Sequence, residues 1–323
     1  MATAPAAYTE AQPSPVARRL RWGDRLGYLI AIGAASSIFL ITCLLVYSLW
    51  VDSTLPRHKF GWNFIVTQTW DPVAEQFGSL PFAYGTLVTS LVALIISVPV
   101  GLGAAIFLAE LAPRRISNAL TFMIELLAAV PSVIYGLLGI FLLVPFLQST
   151  VVPILKQTLG FLPIFDGPFY GSSVFSASIV LSLMIVPFII SVSREVLLSV
   201  PLDQREAALA LGSTKWESTW KIVVPYARRG IFGSVFLALA RALGETMAVT
   251  MVIGNTPQIK ASLLAPGYSI AAVIANEFAE ATTEMYQQSL IEMGLVLFAI
   301  TIVINGLARL LILSTSGGAG AKV

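Results

Sequence analysis

The chain has 323 residues, of which 57% are hydrophobic and only 11% charged, and its mean hydropathy is +0.85. That composition excludes a soluble domain and describes a protein that crosses a membrane several times. A formal net charge of +2 gives no footing for nucleic-acid binding, and the single Cys43 excludes an intrachain disulfide. With one histidine, His58, in a polar loop, neither a histidine-based triad nor a Cys/His metal site has residues to draw on, so no catalytic residue, cofactor or metal is expected.

Residues 1–20, rich in Ala and Pro and then basic, read as a disordered tail. Arg18, Arg19, Arg21 and Arg25 precede the apolar run 27–50, which is long enough to cross a bilayer at about 20 residues per span. The segment 21–59 is read as a membrane anchor, because a cleaved signal peptide needs a shorter apolar region and a small-residue cleavage site that 44–52 lacks. Segment 60–82 places Trp62, Phe64, Trp70 and Phe77 among polar residues, which suits an external interfacial helix or packing against the spans.

Five further apolar runs, 84–109, 119–147, 174–193, 231–254 and 290–312, make a core at 83–313, followed by a tail at 314–323. Pro99, Pro131, Pro145 and Pro187 interrupt these helices and bend them, as in moving and inert bundles alike. Segment 150–173, with Pro153, Pro163 and Pro168, reads as a re-entrant or surface loop. Glu277, Glu280 and Glu284 at helical spacing predict a short acidic external helix, either plainly solvated or a face for a soluble partner.

Orientation follows from the loop cations. The N-terminal stretch through Arg25, the loops 110–118 and 194–230 and the C-terminal end with Arg309 and Lys322 together hold 14 Lys/Arg, the alternate loops hold 4 (Arg57, Lys59, Lys156 and Lys260), and Arg241 lies inside a span. Both termini and the 194–230 loop are therefore expected on the cytoplasmic side.

That loop contains DQREAALALGSTKWESTWKIVVP, the most polar long stretch of the chain. Glu206-Ala207-Ala208 opens a short helix, Gly212 stops it, Ser213 or Thr214 caps a second, and Pro225 is expected to end that second helix. A solvated hairpin is the plain alternative. Small Ala207 and Ala208 permit close approach of a partner surface, and Glu206 can meet a basic group.

Within the membrane, Arg241 stands in the fifth run, where a central Arg costs about 2.5–3.5 kcal/mol on insertion scales. On a continuous helix Glu245 would lie one turn outward on the same face, giving either a buried structural ion pair or an anion path whose carboxylate limits tight binding. Glu125 in the third run and Glu292 at the start of the sixth are alternative partners for Arg241.

The Glu-Ala-Ala loop with Gly212 and Pro225 resembles the EAA loop of ABC-importer permeases, with Val224 where Leu is usual. The runs ARALGETMAVTMVIGN, LPFAYGTLVTSLVALIISVPVGLGAAIFLAE and AAVPSVIYGLLG are similar to the PstC type of phosphate-importer permease, over about 60–309. The resemblance implies an all-α polytopic fold: a six-helix, type I, MetI-like bundle with a cytoplasmic coupling helix, in a bacterial inner membrane among lipid. It implies four partner chains: a second permease (PstA type), two copies of an ATPase (PstB type) and an external phosphate-binding protein (PstS type). It also implies that Arg241 and Glu245 belong to the phosphate path and that Glu206, Ala207, Ala208, Gly212 and Pro225 couple to the ATPase. No GxxxxGK[ST] motif occurs, so ATP hydrolysis falls to the partner ATPase and this chain is not itself an enzyme. A permease for sulfate or molybdate, an ion-coupled secondary transporter using Arg241 and Glu245 as a relay, and a membrane enzyme are the rivals, the last lacking any nucleophile–base set or cofactor fingerprint.

Overall fold

Without water to bond to, a chain inside a bilayer must satisfy its backbone internally, and apolar runs of this length do so as helices. The computed structural model describes residues 15–314 and contains no β-strand among the described residues, only an isolated bridge between Asp71 and Gln76. Among the described residues six helices are long and apolar enough to cross a membrane: Arg25–Asp52, Leu80–Leu111, Ser132–Leu159, Val174–Leu198, Lys215–Leu243 and Glu284–Leu313. The all-α, six-span expectation holds.

The chain divides into two compact units, Met1–Val51 and Asp52–Val323. The first consists of the anchor helix, which begins at Pro15; the parts of the expected tails at 1–14 and 315–323 lie outside the described residues.

The second unit is assembled around the fourth span. Of its most apolar window 72% is buried, against 39% for the second span and 28% for the fifth. Its buried face is unusually rich in small polar residues, Ser176, Ser178, Ser182 and Ser193, which let neighbouring backbones approach. Ser178 and Ser182 return their hydroxyls to their own helix, at Val174 O (2.7 Å) and Ile179 O (2.8 Å), while Ser193 Oγ meets Ser234 Oγ of the fifth span at 2.7 Å. Gly101 of the second span and Gly230 of the fifth fit closely against it: a Cβ at Gly101 would sit 2.8 Å from Ile189 Cγ2, and one at Gly230 would overlap Val196 Cγ1. Around these contacts Ala93, Leu181, Ile185, Ala238, Ala248 and Val252 form one core.

At the other end of the second span an aromatic cluster closes the unit. Trp70 lies 4.9 Å from the rings of both Phe77 and Phe82, and Phe64, Tyr268 and Tyr286 complete the group. Trp70 Nε1 and the Tyr286 hydroxyl both donate to Glu277 Oε2, at 2.8 and 2.6 Å. Burial, with Glu277 nearby, pushes the Tyr268 phenol above its ordinary pKa. The aromatic residues of 60–82 therefore mostly serve packing, although Trp62 is 85% exposed. The expected acidic helix is not formed: Glu277 ends the helix Ile270–Glu277, Glu280 is in a turn, and Glu284 starts the sixth span.

The third and fifth spans differ most from expectation, the third because Pro131 breaks it and the fifth because Pro225 does not while Gly244 ends it early. The third run breaks at 129–131, where Pro131 adopts ψ 139 and caps a new helix. The half before it, Arg114–Ala128, is a separate amphipathic helix, and the true span continues to Leu159, well into what reads as loop. The fifth span starts at Lys215 and stops at Leu243, with the short helix Met247–Val252 beyond it. Pro225 does not end a helix. The five-residue wide turn Thr219–Val223 precedes it, Val224 N–H reaching back to Thr219 O, and the helix runs on through the proline.

Because the second and fourth spans meet at Gly101, Gly101→Val should overpack this contact and destabilise the protein by about 1–3 kcal/mol. Fluorescence-detected melting of the detergent-solubilised protein would register it as a lowered transition relative to Gly103→Val, whose Cβ site has no atom within 4 Å.

Candidate functional site

Two places gather the residues singled out by sequence, the 194–230 loop and the end of the fifth span. In the loop, Leu202–Ala210 forms a short helix whose first turn carries Asp203. Gly212 then takes φ +86, a conformation that strains any residue with a Cβ, and its N–H bonds to Leu209 O at 3.0 Å while Ser213 N–H bonds to Ala208 O at 3.2 Å. This pair of bonds is the Schellman closure that a glycine stop implies. Thr214 caps the next helix through a reciprocal box with Glu217: Glu217 N–H to Thr214 Oγ1 at 3.2 Å, Thr214 N–H to Glu217 Oε2 at 2.9 Å.

The loop presents Glu206 and Ala207 to solvent beside Leu211, which is 90% exposed, while Ala208 is buried at 3% and Pro225 is exposed. What fixes this surface is Arg205, whose Nη2 donates to Glu110 Oε1 at 2.9 Å and to Leu197 O at 2.7 Å. Glu110 ends the second span and Leu197 the fourth, so a single guanidinium ties the loop to two spans. Sequence reasoning missed both partners. The signal was present only as an unexplained acid at the end of an apolar run, and the fold alone brings it to Arg205.

At membrane depth Arg241 sits on the outward face of the fifth span, exposed, while Ala238 (0%) and Ala242 (3%) turn inward to the core. The helix ends two residues later at Leu243, with Gly244 as its cap, so Glu245 is not one turn along the same face. Glu245 Oε1 instead accepts the Ala248 N–H at 3.3 Å at the start of Met247–Val252. Among the described residues no carboxylate lies within 4 Å of the Arg241 guanidinium. The expected Arg241–Glu245 ion pair is therefore absent, and the reason is the break at Gly244. Arg241 Cζ lies 5.8 Å from the Phe188 ring centroid, and Tyr135 of the third span is within electrostatic reach.

The two alternative partners also lie elsewhere. Glu125 is exposed on the amphipathic helix Arg114–Ala128, outside the span that was expected to hold it. Glu292 is buried at 7% in the charge neighbourhood of Arg57. Beside the third span runs an apolar groove of about 530 Å³, lined among others by Tyr135, Leu138, Gly139, Leu142 and Val180. Among the described residues no cluster of His, Cys, Asp and Glu could hold a metal ion.

Residues 97–316 match the family model described as the binding-protein-dependent transport system inner membrane component. The phosphate transport system permease protein PstC of Mesorhizobium japonicum is 43% identical over 308 residues, covering 94% of both chains. The chain belongs to this permease family. The PstC protein of Xylella fastidiosa is 48% identical over 260 residues, 79% of this chain and 80% of its own, and a probable PstC of Methanocaldococcus jannaschii is 34% identical over 283 residues, 86% and 90%. Among solved structures, a chain of the bacterial alginate ABC transporter superposes with TM-score 0.56 at 17% identity, covering 89% of the permease and 95% of that chain. A chain of the MetNI methionine transporter gives 0.53 at 16% identity, covering 72% and 94%. The MetI-like permease fold of a multi-pass inner-membrane protein follows.

Gly212→Leu should cost about 1–2 kcal/mol through backbone strain alone, since its Cβ site is empty within 4 Å, and Gly212→Asn should cost less. Melting of the purified permease would rank the two. Arg205→Ala, which strands Glu110 (11% exposed), should cost about 3 kcal/mol, and adding Glu110→Ala should recover part of that loss in the same assay.

Proposed function

We propose that this permease forms half of the membrane pathway of an ATP-driven importer of inorganic phosphate. The observation that carries the reading is Arg241: a cation in a membrane span, on an open face, with no carboxylate neutralising it among the described residues. A preorganised positive charge in low-dielectric surroundings lowers the barrier for an oxyanion and raises it for a cation. The named PstC relatives support phosphate as that anion. Glu245 stands one loop away, where it repels an anion that would otherwise settle too tightly on Arg241.

In this reading a second, PstA-type permease completes the path, a PstB-type ATPase pair docks on Glu206, Ala207 and the turn at Gly212 while the buried Ala208 packs the docking helix from beneath, and a PstS-type phosphate-binding protein delivers from outside. Pro225 contributes by permitting the wide turn Thr219–Val223 between the docking loop and the fifth span. Both termini and the loop face the cytoplasm.

Uptake of radiolabelled phosphate, normalised to membrane protein, tests the anion role. Arg241→Gln should insert and assemble normally, because it strands no carboxylate, yet lose most transport; adding Glu245→Gln should not restore it. Wild-type uptake by Arg241→Gln would move the path elsewhere. Orientation is tested by labelling in sealed cells after Cys43 is replaced. Probes on the two loops expected outside are placed at Trp62 and Tyr170, which are 85% and 78% exposed. Trp62→Cys and Tyr170→Cys should react with a membrane-impermeant maleimide, and Leu211→Cys should not; the reverse pattern would invert the topology.

A further inference from the structure

A guanidinium on the open face of a span needs something to hold it, and at Arg241 that neighbour is an aromatic ring. Phe188 of the fourth span is half-buried against the central core, between the buried Pro187 and Ile189, and it extends from the most buried span of the unit. Arg241 Cζ lies 5.8 Å from its centroid, within the range of a cation–π contact. The kind of contact matters. A carboxylate at this place would cancel the charge and engage two N–H donors in a fork, whereas a ring attracts the cation through its quadrupole and takes none of the five donors. Tyr135, on the third span, does not compete for the ligand as a donor, because its hydroxyl hydrogen is given to Leu127 O at 2.8 Å.

We propose that Phe188 is the positioning residue of Arg241, holding the guanidinium in place with its charge intact and its N–H edge open to a tetrahedral oxyanion. This rests on Arg241 facing the transported anion. It makes Phe188 a residue of the transport step that touches no substrate and acts only through the arginine.

The test uses the complete importer in proteoliposomes, with Phe188 replaced by mono-, di- and trifluorophenylalanine, which weaken the ring quadrupole while nearly preserving its shape. The maximal rate of phosphate uptake should fall stepwise, to about one fifth at the trifluoro ring, the size of a typical cation–π contribution. The melting transition of the complex should stay constant along the series. Phe188→Trp should retain uptake and Phe188→Leu should lose it. In an Arg241→Gln background the fluorinated series should have no further effect. A flat series alongside a deficient Arg241→Gln would overturn the role of Phe188 and leave the anion reading standing. A stepwise fall that persists in the Arg241→Gln background would also overturn it, as a packing effect. Full uptake by Arg241→Gln would overturn both.

Discussion

Inside a bilayer, helices gain little from leaving a solvent as apolar as themselves, so the second, fourth and fifth spans must hold together by close packing. The serines of the fourth span make that approach feasible, since Ser178 and Ser182 return their hydroxyls to carbonyls of their own helix, Ser176 donates to Gly171 O just before it, and Ser193 reaches Ser234 across the interface. The same packing sets which way Arg241 faces. With Ala238 and Ala242 packed into this core Arg241 faces outward, where the ring of Phe188, carried between the buried Pro187 and Ile189, lies 5.8 Å from its guanidinium.

The 194–230 loop and Arg241 are joined by one element. From the Thr214 cap to Leu243 the helix is unbroken, about 43 Å of rod at 1.5 Å per residue, with the wide turn Thr219–Val223 as its one irregularity. Arg205 fastens the loop to the ends of two further spans through Glu110 and Leu197. A push on the exposed Glu206–Leu211 surface therefore meets a stiff lever rather than a flexible linker.

Local signals in the sequence were reliable where a single residue decides the backbone. Gly212 and Thr214 terminate and start helices as their chemistry requires, and the six spans follow from apolar length. The failures were of two kinds. Pro131 and Pro225 carry the same local signal, yet the first breaks a helix and the second does not, because Val224 finds a carbonyl five residues back, a pairing that depends on the neighbouring turns. Charges were misassigned wherever pairing is long-range: Glu277 reads as part of a solvated face but accepts from Trp70, 207 positions away in sequence, and Arg205 and Glu110 are 95 apart. The Arg241–Glu245 pairing failed because Gly244, one residue, ended the helix that the pairing assumed.

The third span has two wide turns, Gly139–Leu143 and Leu147–Val151, within one continuous helix. Each inserts an extra residue into the helical count, and at 3.6 residues per turn one residue is about 100° of rotation. Beyond Val151 the side chains are thus turned by about 200° from where an ideal helical wheel would draw them, nearly to the opposite side. A scanning mutagenesis of this helix interpreted with a fixed periodicity would label its far end inside out, with lipid-facing positions taken for lining positions and lining positions for lipid.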